Sequence, residues 1–190
     1  LYESEIPKAW ACVFWPTDDI WDIQRTRRLG VLASVIEDRM RKTLREEMGE
    51  SYSPFATNRS SETYTDYGFL MAMIVSDPAK AEAITQRVGE IAVDIAENGV
   101  EADEIERALA PLLNQIEEWR RNNGYWLNNV LLPSHQYPQR LEWARTMEED
   151  IASISVEDIE QLAREFLRPG AAVRVHIRPE AAAEDDSEGA

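Results

Sequence analysis

The chain has 190 residues, of which 36 are acidic and 20 basic, giving a formal net charge of −16. This balance argues against nucleic acid as a partner, because affinity for phosphate backbones comes mainly from lysine and arginine, and against an anionic membrane surface. No apolar run reaches the roughly 20 residues of a membrane-spanning helix. The single cysteine, Cys12, cannot close an internal disulfide and is interpreted as a small core residue.

The first predicted elements are a strand and a long helix. Residues 8–15 are rich in aromatic residues and apolar on both sides, so this strand should be central and covered on both faces. Asp18 and Asp19 are expected to cap the helix that follows, and Gly49 to end it. The apolar face of the helix recurs at steps of three and four: Leu29, Leu32, Ile36, Met40, Leu44 and Met48.

A hairpin and several helices follow in the prediction. Residues 52–59 and 67–75 are strand candidates separated by a polar turn. Asp77-Pro78 indicates the start of a second helix that ends at Asn98-Gly99. A third helix starts near Ala102, and further helices are predicted at about 139–150 and, after a capping box at Ser155, to about residue 167.

The last predicted strand alternates apolar and polar residues. Val173, Val175 and Ile177 should form a buried face, with Arg174 and His176 on the other side. The order of elements predicts an α+β fold, with an antiparallel or mixed sheet and helices packed mainly on one face. Residues 1–179 form the predicted domain, and residues 180–190 are expected to be a disordered acidic tail.

The sequence contains no motif for a self-contained catalytic centre. A catalytic zinc needs three protein ligands, but the histidines are two, His135 and His176, and no H-x-x-E-H motif is present. The chain also has no G-x-S-x-G elbow and no glycine-rich phosphate loop. We therefore predict that the chain itself binds no metal.

The helix-to-strand segment around Gly49 contains the candidate site residues. Arg45 comes near the end of the long helix and Tyr52 at the start of the next strand, so both side chains could meet at one edge of the sheet. Both side chains donate hydrogen bonds, and both suit an oxygen that gains negative charge. On spacing alone, a surface arginine and an ordinary strand tyrosine explain the pattern better than a functional pair does.

An ordered set of motifs resembles the C-terminal, inactive-half domain of bacterial pitrilysin/insulinase-family zinc metallopeptidases. The set begins with Leu44-Arg45-Glu46 leading through Gly49 to Tyr52, and continues with Asp66-Tyr67-Gly68. Later members are residues 99–108, residues 123–127, residues 155–159 and Phe166-Leu167-Arg168-Pro169. The resemblance covers nearly the whole chain up to Pro179 and implies a LuxS/metallohydrolase-like peptidase domain.

The resemblance implies a function shared between two halves of a zinc metalloendopeptidase. Tyr52 would be catalytic and substrate-binding, and Arg45 substrate-binding, opposite a zinc held by the N-terminal half and not by this chain. The expected partners are peptide substrates and that N-terminal half, in the same protein or as a separate subunit. This fragment alone is predicted to be inactive, and an apolar surface left bare by the absent half would favour a homodimer of the fragment.

Two other functions stay open. The first is a non-catalytic structural or partner subunit with the same fold, and the second is an α+β binding module unrelated to proteolysis. A zinc motif upstream in the parent reading frame would favour the peptidase. The resemblance to bacterial members favours the periplasm over the cytoplasm, and the sequence does not indicate which peptides are cleaved.

Overall fold

The computed structural model describes residues 8–48 and 53–179, and the side chains of residues 45–48 are outside this description. It has four strands, long helices and a few short helical turns. The elements are β1 (Ala9–Thr17), α1 (Ile23–Met48), β2 (Phe55–Ser60), β3 (Gly68–Ser76), α2 (Ala81–Asn98), α3 (Ala102–Arg121), α4 (Asn123–Tyr125), a π-helical turn (Trp126–Leu131), α5 (Leu132–Ser134), α6 (Arg140–Ala152), α7 (Val156–Phe166), a 3-10 turn (Pro169–Ala171) and β4 (Val173–Ile177).

The strands form one antiparallel sheet with the order β2-β3-β1-β4. Ala9 pairs with Ser76 across β1 and β3, and Trp10 pairs with Ile177 across β1 and β4. This arrangement confirms the predicted α+β class, the hairpin of β2 and β3, and the central position of β1. β1 extends two residues beyond the predicted strand of residues 8–15 and includes Pro16 next to its last residue.

The core lies between one face of the sheet and the helices. The predicted apolar stripe of α1 is buried from Leu29 to Leu44, each residue being at most 1% exposed. It packs in one cluster with inward-facing strand residues such as Val13 and Leu70, and with residues of α2 and α7 such as Ile95 and Ile159. The spacing of apolar residues along α1 thus identifies the side of the helix that faces the sheet.

Two expectations about the faces of the sheet are wrong. Trp10 of β1 is 42% exposed, so β1 is central but is not covered on both faces by the described residues. In β4, Val173, Val175 and Ile177 point away from the helices, whereas His176 reaches α2 through a contact of 2.8 Å between its Nε2 and Thr85 Oγ1. The reason is common to both: the long helices that contact the sheet pack against its opposite face.

The starts of the helices confirm some predictions and correct others. The backbone N–H of Arg25 donates to Asp22, so Asp22 and not Asp18 or Asp19 caps α1. Asp77 accepts from the N–H of Ala79 in a turn, and α2 begins only at Ala81. The predicted capping box at Ser155 and Asp158 is present. Gly99 ends α2 with φ 82°, a left-handed conformation that favours glycine.

Candidate peptide-binding cleft

The two predicted site residues flank the connection between α1 and β2. Arg45 belongs to the last turns of α1, but its side chain is outside the described residues. Tyr52 also lies outside them, three residues before β2 begins at Phe55. β2 is an edge strand of the sheet, which the hypothesis requires. The roles of Arg45 and Tyr52 and their proximity therefore stay predictions.

A cleft of about 830 Å³ lies between α1, β2, α3, the π-helical turn and α6. Its size is typical of sites that bind small molecules or peptide side chains. Its apolar wall comes mainly from α1, α3, α6 and the segments next to them. Its members are Ile20, Ile23, Leu112, Ile116, Val130, Met147 and Ile151.

Aromatic rings line one side of the cleft. Trp119 and Tyr125 stack in parallel with ring centroids 5.7 Å apart and 7° between the planes. On the α6 side the guanidinium of Arg140 lies 5.7 Å from the ring centroid of Trp143. Flat, amphipathic surfaces of this kind suit apolar side chains and peptide planes.

One lining residue of the cleft, Arg27, belongs to a buried ion pair. The guanidinium of Arg27 donates to Asp150, to Thr146 Oγ1 at 3.2 Å and to the carbonyl of Trp143. Only 6% of the Arg27 side chain and 14% of the Asp150 side chain are exposed. Burial lowers the pKa of Arg27, and Asp150 opposes that shift. Burial also raises the pKa of the Tyr125 phenol, against the effect of Arg27, so this hydroxyl stays a neutral donor.

The free edge of β2 borders the cleft. Thr57 and Asn58 line it, and the N–H of Ala56, which points away from β3, donates to Glu37 at 3.1 Å. In an antiparallel ladder the residues two positions apart share this orientation, so the backbone of Asn58 also faces the free edge. The cleft thus combines an apolar wall with backbone and side-chain hydrogen-bonding groups.

A second cavity of about 270 Å³ continues from the cleft along α1. The two cavities have Ser34 and Leu112 in common. Along α1 the lining residues proceed from Arg27 through Ser34 to Arg41, one turn before the position of Arg45. Together the cavities form a groove that leads toward the helix-to-strand connection.

The described residues do not fit a zinc ion. Among residues 8–48 and 53–179, no three histidine, cysteine, aspartate or glutamate side chains form a group that could hold a metal. His176 contacts Thr85, on the side of the sheet that faces α2. Within the same part of the chain, no helix combines the length and apolarity needed to span a bilayer.

Sequence reasoning missed the cleft because its residues come from distant segments. Arg27 is one of three arginines within residues 25–28, and nothing in that local pattern marks it as the buried one. In the sequence, Tyr125 and Trp126 stand out only as part of the motif at residues 123–127. The tryptophans give a partial signal: Trp15 is buried, whereas Trp119 and Trp143 line the cleft.

Comparisons with known proteins agree on the fold. The family model described as the Peptidase M16 inactive domain matches residues 1–112. A comparison with curated protein sequences gives no significant match. Three bacterial structures illustrate the similarity over nearly the whole chain.

The inactive peptidase domain of a putative zinc protease from Bordetella parapertussis has a TM-score of 0.78 at 13% identity, covering 96% of this chain and 98% of its own. The peptidase M16 inactive domain from Pseudomonas fluorescens has a TM-score of 0.77 at 14% identity, covering 95% of this chain and 43% of its own. The periplasmic protease PqqL from Escherichia coli has a TM-score of 0.74 at 14% identity. The similarity covers 93% of this chain and 20% of the PqqL chain. This chain therefore spans less than half the length of the last two structures.

Proposed function

The chain belongs to the Peptidase M16 inactive-domain family, and from that premise we propose that it is the C-terminal substrate-binding domain of a zinc metalloendopeptidase. In this proposal the complete protein hydrolyses peptide bonds in an enclosed chamber. The N-terminal half holds the zinc, and this domain contributes Arg45 and Tyr52 from the opposite side. The observation that carries the proposal is the family match over residues 1–112, which includes both positions.

The described part of the chain supports a protein in which one half binds the zinc and the other binds substrate. It contains no metal-binding group, in keeping with the description of the family domain as inactive. The chain spans 20% of PqqL and 43% of the P. fluorescens structure, so similar domains occur within longer polypeptides. PqqL is a periplasmic protease, which supports the periplasm as the compartment proposed for this protein.

Tyr52 and Arg45 would act by donating hydrogen bonds. When a peptide carbonyl is attacked, its oxygen gains negative charge, and a donor aimed at that oxygen is worth more in the transition state than in the ground state. The phenol of Tyr52 would supply this donor. The planar guanidinium of Arg45 would hold the substrate main chain or orient Tyr52.

The groove along α1 offers a path for the substrate. It leads from the aromatic cleft past Ser34 toward Arg41. Its walls are apolar and amide-bearing in the cleft, and are lined mainly by charged side chains of α1 and α3 in the second cavity. An extended peptide bound in this groove would continue toward the end of α1, where Arg45 lies and after which Tyr52 follows in the sequence. The alternative function is a non-catalytic structural or partner subunit, in which the groove would hold a permanent segment of another protein.

The proposal is tested by replacing Tyr52 in the complete polypeptide. Tyr52→Phe removes one hydroxyl and keeps the ring, so kcat for a quenched fluorescent peptide should fall by about 10²–10³-fold while KM changes little. The measurement is steady-state cleavage with zinc present, together with a thermal unfolding curve that should match wild type.

Tyr64→Phe is the matched control, because Tyr64 is exposed in the loop between β2 and β3 and lies in no proposed site. It should cleave like wild type. If Tyr52→Phe cleaves as fast as this control, the role of Tyr52 is wrong. If the wild-type polypeptide neither binds zinc nor cleaves any peptide, the structural-subunit function replaces the peptidase.

A further inference from the structure

The charge composition of the aromatic cleft differs from that of the chain as a whole. Acidic residues are 36 of the 190 in the chain, yet none of the described residues that line the cleft is an aspartate or a glutamate, and two are arginines, Arg27 and Arg140. Two other cavities, of about 270 Å³ and about 600 Å³, are each lined by three acidic side chains. The composition of the cleft therefore favours an anionic ligand.

The two arginines line the cleft, whereas the carboxylates paired with them do not. Arg27 pairs with Asp150. Arg140 pairs with Glu62, and neither acidic residue is among those that line the cleft. Both guanidinium groups also contact Trp143, because Arg27 donates to its carbonyl and Arg140 lies 5.7 Å from the centroid of its ring. The cationic member of each ion pair is therefore the one next to the cleft.

Arg140 has hydrogen-bond donors that the described residues leave unused. A guanidinium carries five N–H groups, and within the described part of the chain that of Arg140 donates to Glu62 alone. The Arg140 side chain is only 15% exposed, and its Nε is buried without a hydrogen-bond partner. Unused donors on a largely buried cation are costly. A carboxylate bound by the remaining N–H groups would offset that cost, because the guanidinium fork matches its two oxygens.

The π-helical turn and the residue before it add further donors to the cleft. Tyr125, Asn128 and Asn129 line the cleft, and the described residues provide no hydrogen-bond partner for the Tyr125 hydroxyl or for the two side-chain amides. π-helical turns are rare and occur frequently at functional sites. Here the turn places both amides beside the cleft, where they can complete the hydrogen bonding of a bound anion.

We propose that the cleft is a specificity subsite that binds a carboxylate of the substrate peptide, carried next to a large apolar side chain. Arg140 holds the carboxylate through its guanidinium fork, and Tyr125 and Asn128 supply further donors. The stacked rings of Trp119 and Tyr125 contact the apolar side chain. The carboxylate belongs either to an acidic side chain or to the C terminus of the peptide. This inference rests on the function proposed above for the identity of the ligand as a substrate peptide.

The expected preference is opposite in sign to the one that the net charge of the chain produces. A net charge of −16 repels acidic peptides from the molecule as a whole and attracts basic ones. Tighter binding of an acidic peptide than of its neutral counterpart therefore requires a local site that overcomes this repulsion. Non-specific electrostatic attraction cannot imitate the proposed result.

Binding of three short fluorescent peptides to this chain, without zinc, tests the proposal. All three end in phenylalanine: the first has glutamate before it and an amidated C terminus, the second has glutamine and an amidated C terminus, and the third has glutamine and a free C terminus. Fluorescence anisotropy should show that the first or the third binds about 10–100-fold more tightly than the second, which has no carboxylate at these positions. A preference for the first assigns the site to an acidic side chain, and a preference for the third assigns it to the C-terminal carboxylate.

Arg140→Met removes the guanidinium and keeps an unbranched apolar side chain, so this variant should bind all three peptides alike. Arg145→Met is the matched control: it removes the same charge from the same helix, but the Arg145 side chain is 74% exposed and does not line the cleft. The control should keep the preference of wild type, and thermal unfolding checks that both variants are folded.

Equal affinities of the wild-type chain for the three peptides would overturn the proposal, and this comparison depends on no variant. A preference that Arg140→Met retains would overturn it as well. No step of the experiment requires cleavage. A complete polypeptide that cleaves nothing would therefore contradict the peptidase function and leave the measured preference for a carboxylate unchanged.

Discussion

At the scale of single residues, the buried pair of Arg27 and Asp150 has a direct consequence for stability. Both side chains are nearly withdrawn from solvent, and the Nε of Arg27 has no hydrogen-bond partner. Desolvation makes such a pair a poor source of net stability, but it makes the loss of one partner costly. The pair joins the first turns of α1 to α6 and so fixes one wall of the cleft.

Asp150→Ala should therefore lower the free energy of unfolding by about 3–5 kcal/mol, because the charge of Arg27 stays buried without its partner. Replacing both residues, with Arg27→Met and Asp150→Leu, should recover most of that loss. Urea denaturation at neutral pH measures both. Glu117→Ala is the control: it breaks the exposed pair with Arg121 and should cost at most about 0.5 kcal/mol. A cost for Asp150→Ala as small as this would contradict the account of the buried pair.

At the scale of elements, Arg39 links three helices. From α1 it donates to both carboxylate oxygens of Glu104 in α3, each at 2.8 Å, and to Asp94 of α2 and the carbonyl of Gly99. Glu104 also accepts from the N–H of Glu101 and so completes a capping box. This bidentate hydrogen bond is strong, because the guanidinium and the carboxylate are both charged and their planar geometries match.

The bond from Arg39 holds the pKa of Glu104 below its usual value, against the effect of burial. A depressed carboxyl pKa stabilises the fold above the unfolded pKa of about 4.3, and this contribution is lost as the pH falls through the folded pKa. Glu104→Gln should therefore destabilise the domain by about 2–3 kcal/mol at pH 7 and by less at acidic pH. Urea denaturation across the acidic range measures this. A penalty independent of pH would show that charge on Glu104 is unimportant.

The helices and strands also show which structural features a sequence pattern can predict. The period of α1 correctly predicted its buried stripe, because a helix can bury only one side against one sheet. The alternation in β4 correctly grouped Val173, Val175 and Ile177, but it did not say which side the helices cover. That choice depends on contacts with α2, which is distant in sequence. Similarly, Asp18 was a plausible cap but forms an ion pair with Arg25, while Asp22 caps α1.

At the scale of the whole molecule, the fold and the family could be predicted, but the cleft could not. Arg45 and Tyr52 belong to one local segment, and the resemblance of that segment to the family is what marks them as candidate site residues. The cleft combines α1, β2, α3 and α6, so Arg27 and Arg140 gain their surroundings only through tertiary packing. The apolar face of the sheet that points away from the long helices is likewise a property of the assembled sheet.

The central claim is that this domain completes an active site whose metal lies in another half. The most direct test is to add this chain to the separate N-terminal half, with zinc, and to measure cleavage of a quenched fluorescent peptide. We predict that neither part alone cleaves at an appreciable rate, that mixing restores cleavage, and that the Tyr52→Phe chain restores about 10²–10³-fold less. An N-terminal half that is fully active alone, or a Tyr52→Phe chain that restores full activity, would contradict the claim.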